Sequence, residues 1–307
     1  MIYIKLIRWP QLMMMAFSML LVRNMIIIPR LTEAGLAPAT ATLEFSLLVL
    51  AVLLIAAAGF VTNDLFDRET DSINQPEQMI IGRYIGNNEA IMLIRLLNVL
   101  GNLSGFFVAW KLSNWQFALI FPVMTGLLWF YSSRYKRMVL TGNIVISFAV
   151  AMVIIIVWLF DFFALRADAV LFSRALPALP AITGLVMAYA LFSFLLNFIS
   201  DIIADILHLP GDTKMGFRTF PAVYGQLPAK NLGIGLVTTL VFMLGFWQLI
   251  LFKVGLIAAL GAMFSITALT IVLLIQLALT HQAKGFKAVL LLLRLINIAG
   301  IISIVFL

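Results

Sequence analysis

The sequence predicts an all-α membrane protein, a bundle of nine transmembrane helices. Of its 307 residues, 64% are hydrophobic and only 11% are charged, and the mean hydropathy is +1.12. The apolar residues fall in uninterrupted runs, several of them near the roughly twenty residues that cross a hydrocarbon core about 30 Å thick. These runs lack the period-two alternation of barrel strands. Helices remain as the structure that satisfies every backbone group within lipid.

The nine segments lie at 11–29, 42–62, 88–110, 115–131, 142–163, 180–200, 231–252, 256–279 and 286–306, within one domain spanning 1–307. The first follows a basic, amphipathic N-terminus, MIYIKLIRWPQ, with no small-residue cleavage site before the span. A cleaved signal peptide is therefore not expected. Arg23 lies deep in this segment, where charge is costly and by default functional. It is expected to touch substrate or to pair with an acid such as Glu89. The second segment runs directly into TNDLFDRETDSINQP. The third carries Arg95, placed to snorkel, and Gly101-x3-Gly105, a spacing that lets helices approach closely. The fourth ends at YSSRYKRMVLTGN, whose Asn143 opens the fifth. The sixth is expected to stop at Pro210-Gly211, leaving Asp212 on a loop that curls back. The seventh follows GDTKMGFRTFPAVYG; His281 follows the eighth at an interfacial position, and Arg294 lies in the ninth within snorkelling reach. The six tryptophans fall mostly near span ends, as interfacial aromatic belts do.

The chain has no cysteine, which excludes disulfides, thiolate nucleophiles and cysteine-ligated metals. The formal charge of +7 reflects loops at one membrane face, and no nucleic-acid partner is expected. Nine crossings put the termini on opposite sides. With the N-terminus cytoplasmic, the inside segments hold twelve cations: Lys5, Arg8, Arg68, Arg83, Arg134, Lys136, Arg137, Lys214, Arg218, Lys230, Lys284 and Lys287. The outside segments then hold five: Arg30, Lys111, Arg166, Arg174 and Lys253. The excess favours a multi-pass protein with its N-terminus and both acidic loops cytoplasmic and its C-terminus opposite.

The acids are unevenly spread. Of thirteen Asp and Glu, five lie between 63 and 77 and three between 201 and 212. Residues three, four and seven apart share a helix face, so Asn63, Asp67 and Asp71 form a row with Asp64 beside it. Asn197, Asp201 and Asp205 echo that spacing, with His208 continuing the stripe. Carboxylates so close repel one another unless solvated, protonated or bridged by a cation. A solvated helix end is the plain alternative, but acids contribute little to topology and two clusters recur on one side. A hard divalent ion such as Mg²⁺ suits them, since it takes oxygen ligands and keeps positions for water and phosphate oxygens. Nearby cations (Arg68, Arg83, Arg134, Lys136, Arg137, Lys214, Arg218) are what the remaining phosphate charge of a diphosphate requires. An ion-coupled transporter would instead place its acids mid-span or at broken helices.

These residues resemble the UbiA-type intramembrane prenyltransferases over essentially the whole chain. The pattern N-D-x-x-D-x-x-x-D stands as Asn63, Asp64, Asp67 and Asp71, followed by Asn74 and Pro76. A Y-x-x-x-x-K…G-N segment stands as Tyr131, Lys136, Gly142 and Asn143. The second acidic region and its D-x-K-x-G-x-x-T-x-P tail stand as Asp201, Asp205, Asp212, Lys214, Gly216, Thr219 and Pro221. Two positions depart from the pattern: Glu77-Gln78 replace a usual basic residue, making Arg83 the candidate substitute, and His208 stands where an acid is usual.

The resemblance implies nine helices around a lipid-accessible central cavity capped by cytoplasmic loops. It implies that Asp64, Asp67, Asp71, Asp205 and Asp212 act in catalysis by holding Mg²⁺. Asn63, Arg68, Asn74, Arg83, Tyr131, Lys136, Asn143, Asp201 and Lys214 would bind substrate, with Arg23 added for its depth within the first apolar segment. The donor would be an isoprenyl diphosphate, and ionisation of its allylic C–O bond would give a carbocation that an acceptor captures. Fixed cations stabilise charge where it develops, an apolar cavity excludes water that would quench the cation, and an aromatic face such as Phe130, Tyr131 or Tyr189 stabilises it. The arrangement looks nearest to the branch that alkylates geranylgeranylglyceryl phosphate, with Arg8, Arg134 and Arg137 as cations for a phosphorylated acceptor. Aromatic acceptors of quinone-type biosynthesis, and a non-catalytic isoprenoid-binding relative, are the alternatives.

Overall fold

The computed structural model describes residues 2–74, 76–113 and 115–307. Among the described residues nine helices are long and apolar enough to cross a membrane: Trp9–Glu33, Thr42–Phe66, Asn87–Lys111, Trp115–Arg137, Thr141–Arg166, Leu179–Lys214, Gln226–Val254, Ile257–Leu279 and Ala283–Phe306. Eight contain their predicted segments and extend beyond them; the eighth begins one residue later than expected. Hydropathy marks where a helix is apolar, whereas i→i−4 hydrogen bonding continues through polar residues at the interface.

The sixth helix departs most. It has 36 residues with Pro210 inside it, a length of about 54 Å at 1.5 Å per residue, well beyond a hydrocarbon core. Proline removes one N–H and crowds one carbonyl, which membrane helices tolerate. The stop comes at Gly216, whose φ of +70° is left-handed. There Phe217 N–H bonds the Asp212 carbonyl at 2.8 Å and Gly216 N–H bonds Thr213 at 3.2 Å, the paired reverse bonds of a Schellman end. Asp212 therefore lies in the last turn of the helix and not on a returning loop.

The chain forms two compact units: residues up to Lys136 with Met152–Ala188, and Arg137–Ala151 with Tyr189–Leu307. Lipid tails are as apolar as leucine, so close approach and polar ties must hold helices together. In the first unit the second span packs along the third. A Cβ on Gly101 would lie 2.9 Å from Ile55 Cγ1 and 3.2 Å from the Ala51 carbonyl, and one on Gly105 would overlap the Phe121 ring. The expected close packing at this glycine pair is present. The short N-terminal helix Ile2–Leu6 docks through Leu6, wholly buried with Val61, Ile81, Ile85 and Ala90. In the second unit the eighth span packs against the seventh and ninth. Lys230 Nζ donates to the Ala278 and Thr280 carbonyls at 2.7 Å each, closing the end of the eighth helix. Outward-facing residues such as Phe242, Leu279 and Met92 are suited to lipid.

Candidate active site

The first acidic set lies in the first unit. The helix Thr42–Phe66 ends at Asp67, where φ is −86° and ψ −3°, and a short helix Arg68–Asn74 follows. The row Asn63, Asp67, Asp71 thus crosses a break instead of lying on one continuous helix. Its four-residue rhythm survives because Asp67 N–H bonds the Asn63 carbonyl at 2.9 Å and Asp71 N–H bonds that of Asp67 at 2.8 Å.

Two carboxylates of this set already face cations. The Lys136 ammonium pairs with the buried Asp67 carboxylate and donates to Asn63 Oδ1 at 3.2 Å. Arg8 Nη2 lies 2.6 Å from Asp64 Oδ1, with its guanidinium 5.1 Å from the Phe60 ring centroid. Asp71 is half-buried. Burial, followed by the neighbouring Asp67 charge, pushes its pKa up to about 6, with Lys136 opposing. Arg68 donates to Asn87 Oδ1 and lies against Gly82. Arg83 is exposed, 5.3 Å from the Tyr84 ring centroid. Tyr131 is buried and Asn74 half-buried.

The second set lies in the second unit. Asn143, near the start of the fifth span, donates its amide to Asp201 Oδ2 at 2.9 Å and to Asp205 Oδ2 at 2.8 Å. One carboxamide thereby holds two carboxylates a turn apart. Asn197, the first member of the echoed row, instead donates to Ser147 Oγ at 3.2 Å. Asp212 is buried and accepts from Thr219 Oγ1 at 3.1 Å. Lys214 and Arg218 are exposed and His208 is half-buried. The Arg137 guanidinium sits 4.6 Å from the Phe217 ring centroid.

Arg23 belongs elsewhere. It is buried, donates to Thr40 Oγ1 at 2.9 Å and to the Thr40 carbonyl at 2.5 Å, and stacks on Phe45 at 4.3 Å. Asp161 Oδ1 accepts both the Thr40 N–H and hydroxyl at 2.8 Å. Thr40 precedes the start of the helix whose other end bears Asp64, which puts Arg23 far from the acidic row. Arg23 is thus held in a buried tie, and the acid it reaches, through Thr40, is Asp161 and not Glu89. Sequence reasoning missed Asp161; the available signal was a lone acid inside the fifth apolar segment, opposite in charge to Arg23.

The donor sets are oxygen, as a hard cation requires. No group of three His, Cys, Asp or Glu among the described residues is gathered for direct ligation. Mg²⁺ is commonly held by one or two carboxylates together with water and substrate phosphates.

Nine apolar spans among the described residues, several bearing acids and cations at their ends, define an integral multi-pass membrane protein. The chain belongs to the UbiA prenyltransferase family, which it matches over residues 29–297. It is similar to digeranylgeranylglyceryl phosphate synthase of Methanospirillum hungatei, 32% identical over 183 residues, covering 59% of this chain and 58% of that one. The synthase of Methanosarcina mazei is 27% identical over 305 residues, covering 97% and 98%. For three further synthases, the matched part spans 51% to 62% of their length. A solved structure of digeranylgeranylglyceryl phosphate synthase shares the fold at a TM-score of 0.65 and 21% identity, over 100% of this chain and 98% of that one. A UbiA homologue from Archaeoglobus fulgidus bound to DMAPP and Mg²⁺ matches at 0.59 and 16% identity, over 99% of each.

Proposed function

We propose that the protein transfers a prenyl group from an isoprenyl diphosphate to a phosphorylated lipid acceptor of the geranylgeranylglyceryl phosphate kind, and that aspartates of both sets are required. The observation that carries the proposal is the first acidic set, where Asp64 and Asp67 are each already opposed by a cation, Arg8 and Lys136. Carboxylates and cations alternating at one helix end present the two charge types that a metal–diphosphate needs. Family membership and the synthases among the relatives support it.

Bound Mg²⁺ would neutralise diphosphate charge and make it a better leaving group. Asp64, Asp67 and Asp71 would hold it in the first set, and Asp205 and Asp212 in the second. Lys136 is the cation positioned to turn from Asp67 to a phosphate oxygen. Asn143 keeps Asp201 and Asp205 oriented by donating to both. As the allylic C–O bond breaks, its electron pair leaves with the diphosphate, and an acceptor oxygen attacks the resulting cation and passes its proton to the released diphosphate or to water. Arg68, Asn74, Arg83, Tyr131 and Lys214 complete the proposed substrate contacts, while Arg134 and Arg137 are assigned to the acceptor phosphate.

The test supplies purified protein with geranylgeranyl diphosphate, Mg²⁺ and a panel of acceptors, and follows diphosphate release. Release is expected with geranylgeranylglyceryl phosphate and is expected to vanish in Asp67→Asn. Release only with hydroxybenzoate- or naphthoate-type acceptors would overturn the lipid assignment. Donor binding without release from any acceptor would identify a non-catalytic relative.

A further inference from the structure

We propose that Arg8 is an exchange partner for the donor. It holds Asp64 while the site is without substrate, and passes its guanidinium to a diphosphate oxygen when Asp64 takes the metal. This rests on the assignment of Asp64 to metal–diphosphate binding made above. Arg8 has φ 54° and ψ 54°, a left-handed conformation that is uncommon and costly for a residue with a side chain. Its surroundings impose it. Leu6 is locked in the apolar cluster with Val61 and Ile81, Arg8 N–H bonds the Lys5 carbonyl, and the Arg8 carbonyl accepts from Gln11 at the start of the first span. The strained turn aims the side chain at the end of the second span.

Asp64 is the side-chain hydrogen-bond partner of Arg8 among the described residues, through one guanidinium nitrogen. A guanidinium carries five N–H donors, and this side chain is 40% exposed, so donors remain open to an incoming anion. Its planar fork matches phosphate oxygens in pairs. A cation that occupies Asp64 competes with a metal for the same carboxylate. Once displaced, it stays within a hydrogen bond's reach of whatever Asp64 then holds. Phe60 supports the guanidinium face during the exchange. Arg8 should therefore affect the two ligands in opposite directions, which a purely structural arginine would not do.

The experiment uses the full-length protein in detergent and two binding titrations that require no turnover. Titrated with Mg²⁺ alone, Arg8→Gln is expected to bind several-fold more tightly than wild type. Titrated with inorganic diphosphate at saturating Mg²⁺, it is expected to bind about tenfold more weakly, the loss of one charge-assisted hydrogen bond. Arg8→Lys is expected to recover part of the diphosphate affinity, and it carries the comparison if the glutamine variant fails to fold. Lys5→Gln, which removes a charge from the same segment, is expected to change neither. Losses in both titrations, or no change in either, would overturn the exchange. If Asp67→Asn loses diphosphate binding while Arg8→Gln behaves as wild type, the Arg8 role alone falls. If the wild type binds neither ligand, the donor-site assignment falls and takes the Arg8 role with it.

Discussion

Asp71 experiences the crowding of carboxylates at the end of the second span. Burial and the neighbouring Asp67 charge hold its pKa near 6, against about 3.9 for an aspartate in an unfolded chain. The folded protein thus binds this proton more tightly than the unfolded one. The resulting stabilisation is complete below about pH 4 and is lost as pH rises through about 6. With chelator present, the thermal midpoint of the wild type is expected to decline between pH 5 and 7, and Asp71→Asn is expected to lack that part of the decline. Parallel pH profiles would show that Asp71 is not the group responsible. At this scale the sequence disclosed the acids but not their partners. Spacing within one segment aligned Asn63, Asp67 and Asp71, because helical periodicity is local. Arg8 and Asp64 are 56 residues apart, and Arg23 reaches Asp161 through Thr40. Such pairings come from tertiary packing, which no local pattern encodes.

Helices in lipid are joined by fit, and the third span shows how tightly. Gly105→Ala would drive a methyl into the Phe121 ring, and overpacking of this kind costs about 1–3 kcal/mol. Gly261 is also helical but faces open space, so Gly261→Ala is expected to be neutral or slightly stabilising, through the roughly 1 kcal/mol helix preference of alanine. Thermal denaturation of both variants in one detergent measures the contrast. Equal midpoints would mean that the Gly105 contact does not hold the third span to Phe121. Element positions were legible because a twenty-residue apolar run has few other uses. The sixth span runs past the end that Pro210 predicts, because the stop that proline makes in a soluble helix is weaker in a membrane helix. Here the sequence held a better stop six residues on, in Gly216, whose left-handed backbone satisfies the last carbonyls.

Crossing number and charge together predict an orientation for the whole molecule that can be measured directly. Nine crossings would put the two ends of the chain on opposite faces, and the twelve-to-five division of loop cations predicts a cytoplasmic N-terminal end. On that expectation both acidic loops are cytoplasmic, and the Arg23–Thr40–Asp161 tie is expected toward the face opposite Asp64. Because the chain has no cysteine, single cysteines can be introduced without first removing native ones. Tyr84→Cys and Gln282→Cys, at exposed positions in loops after the second and eighth spans, are expected to react with a membrane-impermeant maleimide only after cells are opened. Ser173→Cys, exposed between the fifth and sixth spans, is expected to react in intact cells. The reverse pattern would place the acidic loops on the outer face. A mixed pattern would show that one of the nine helices does not cross.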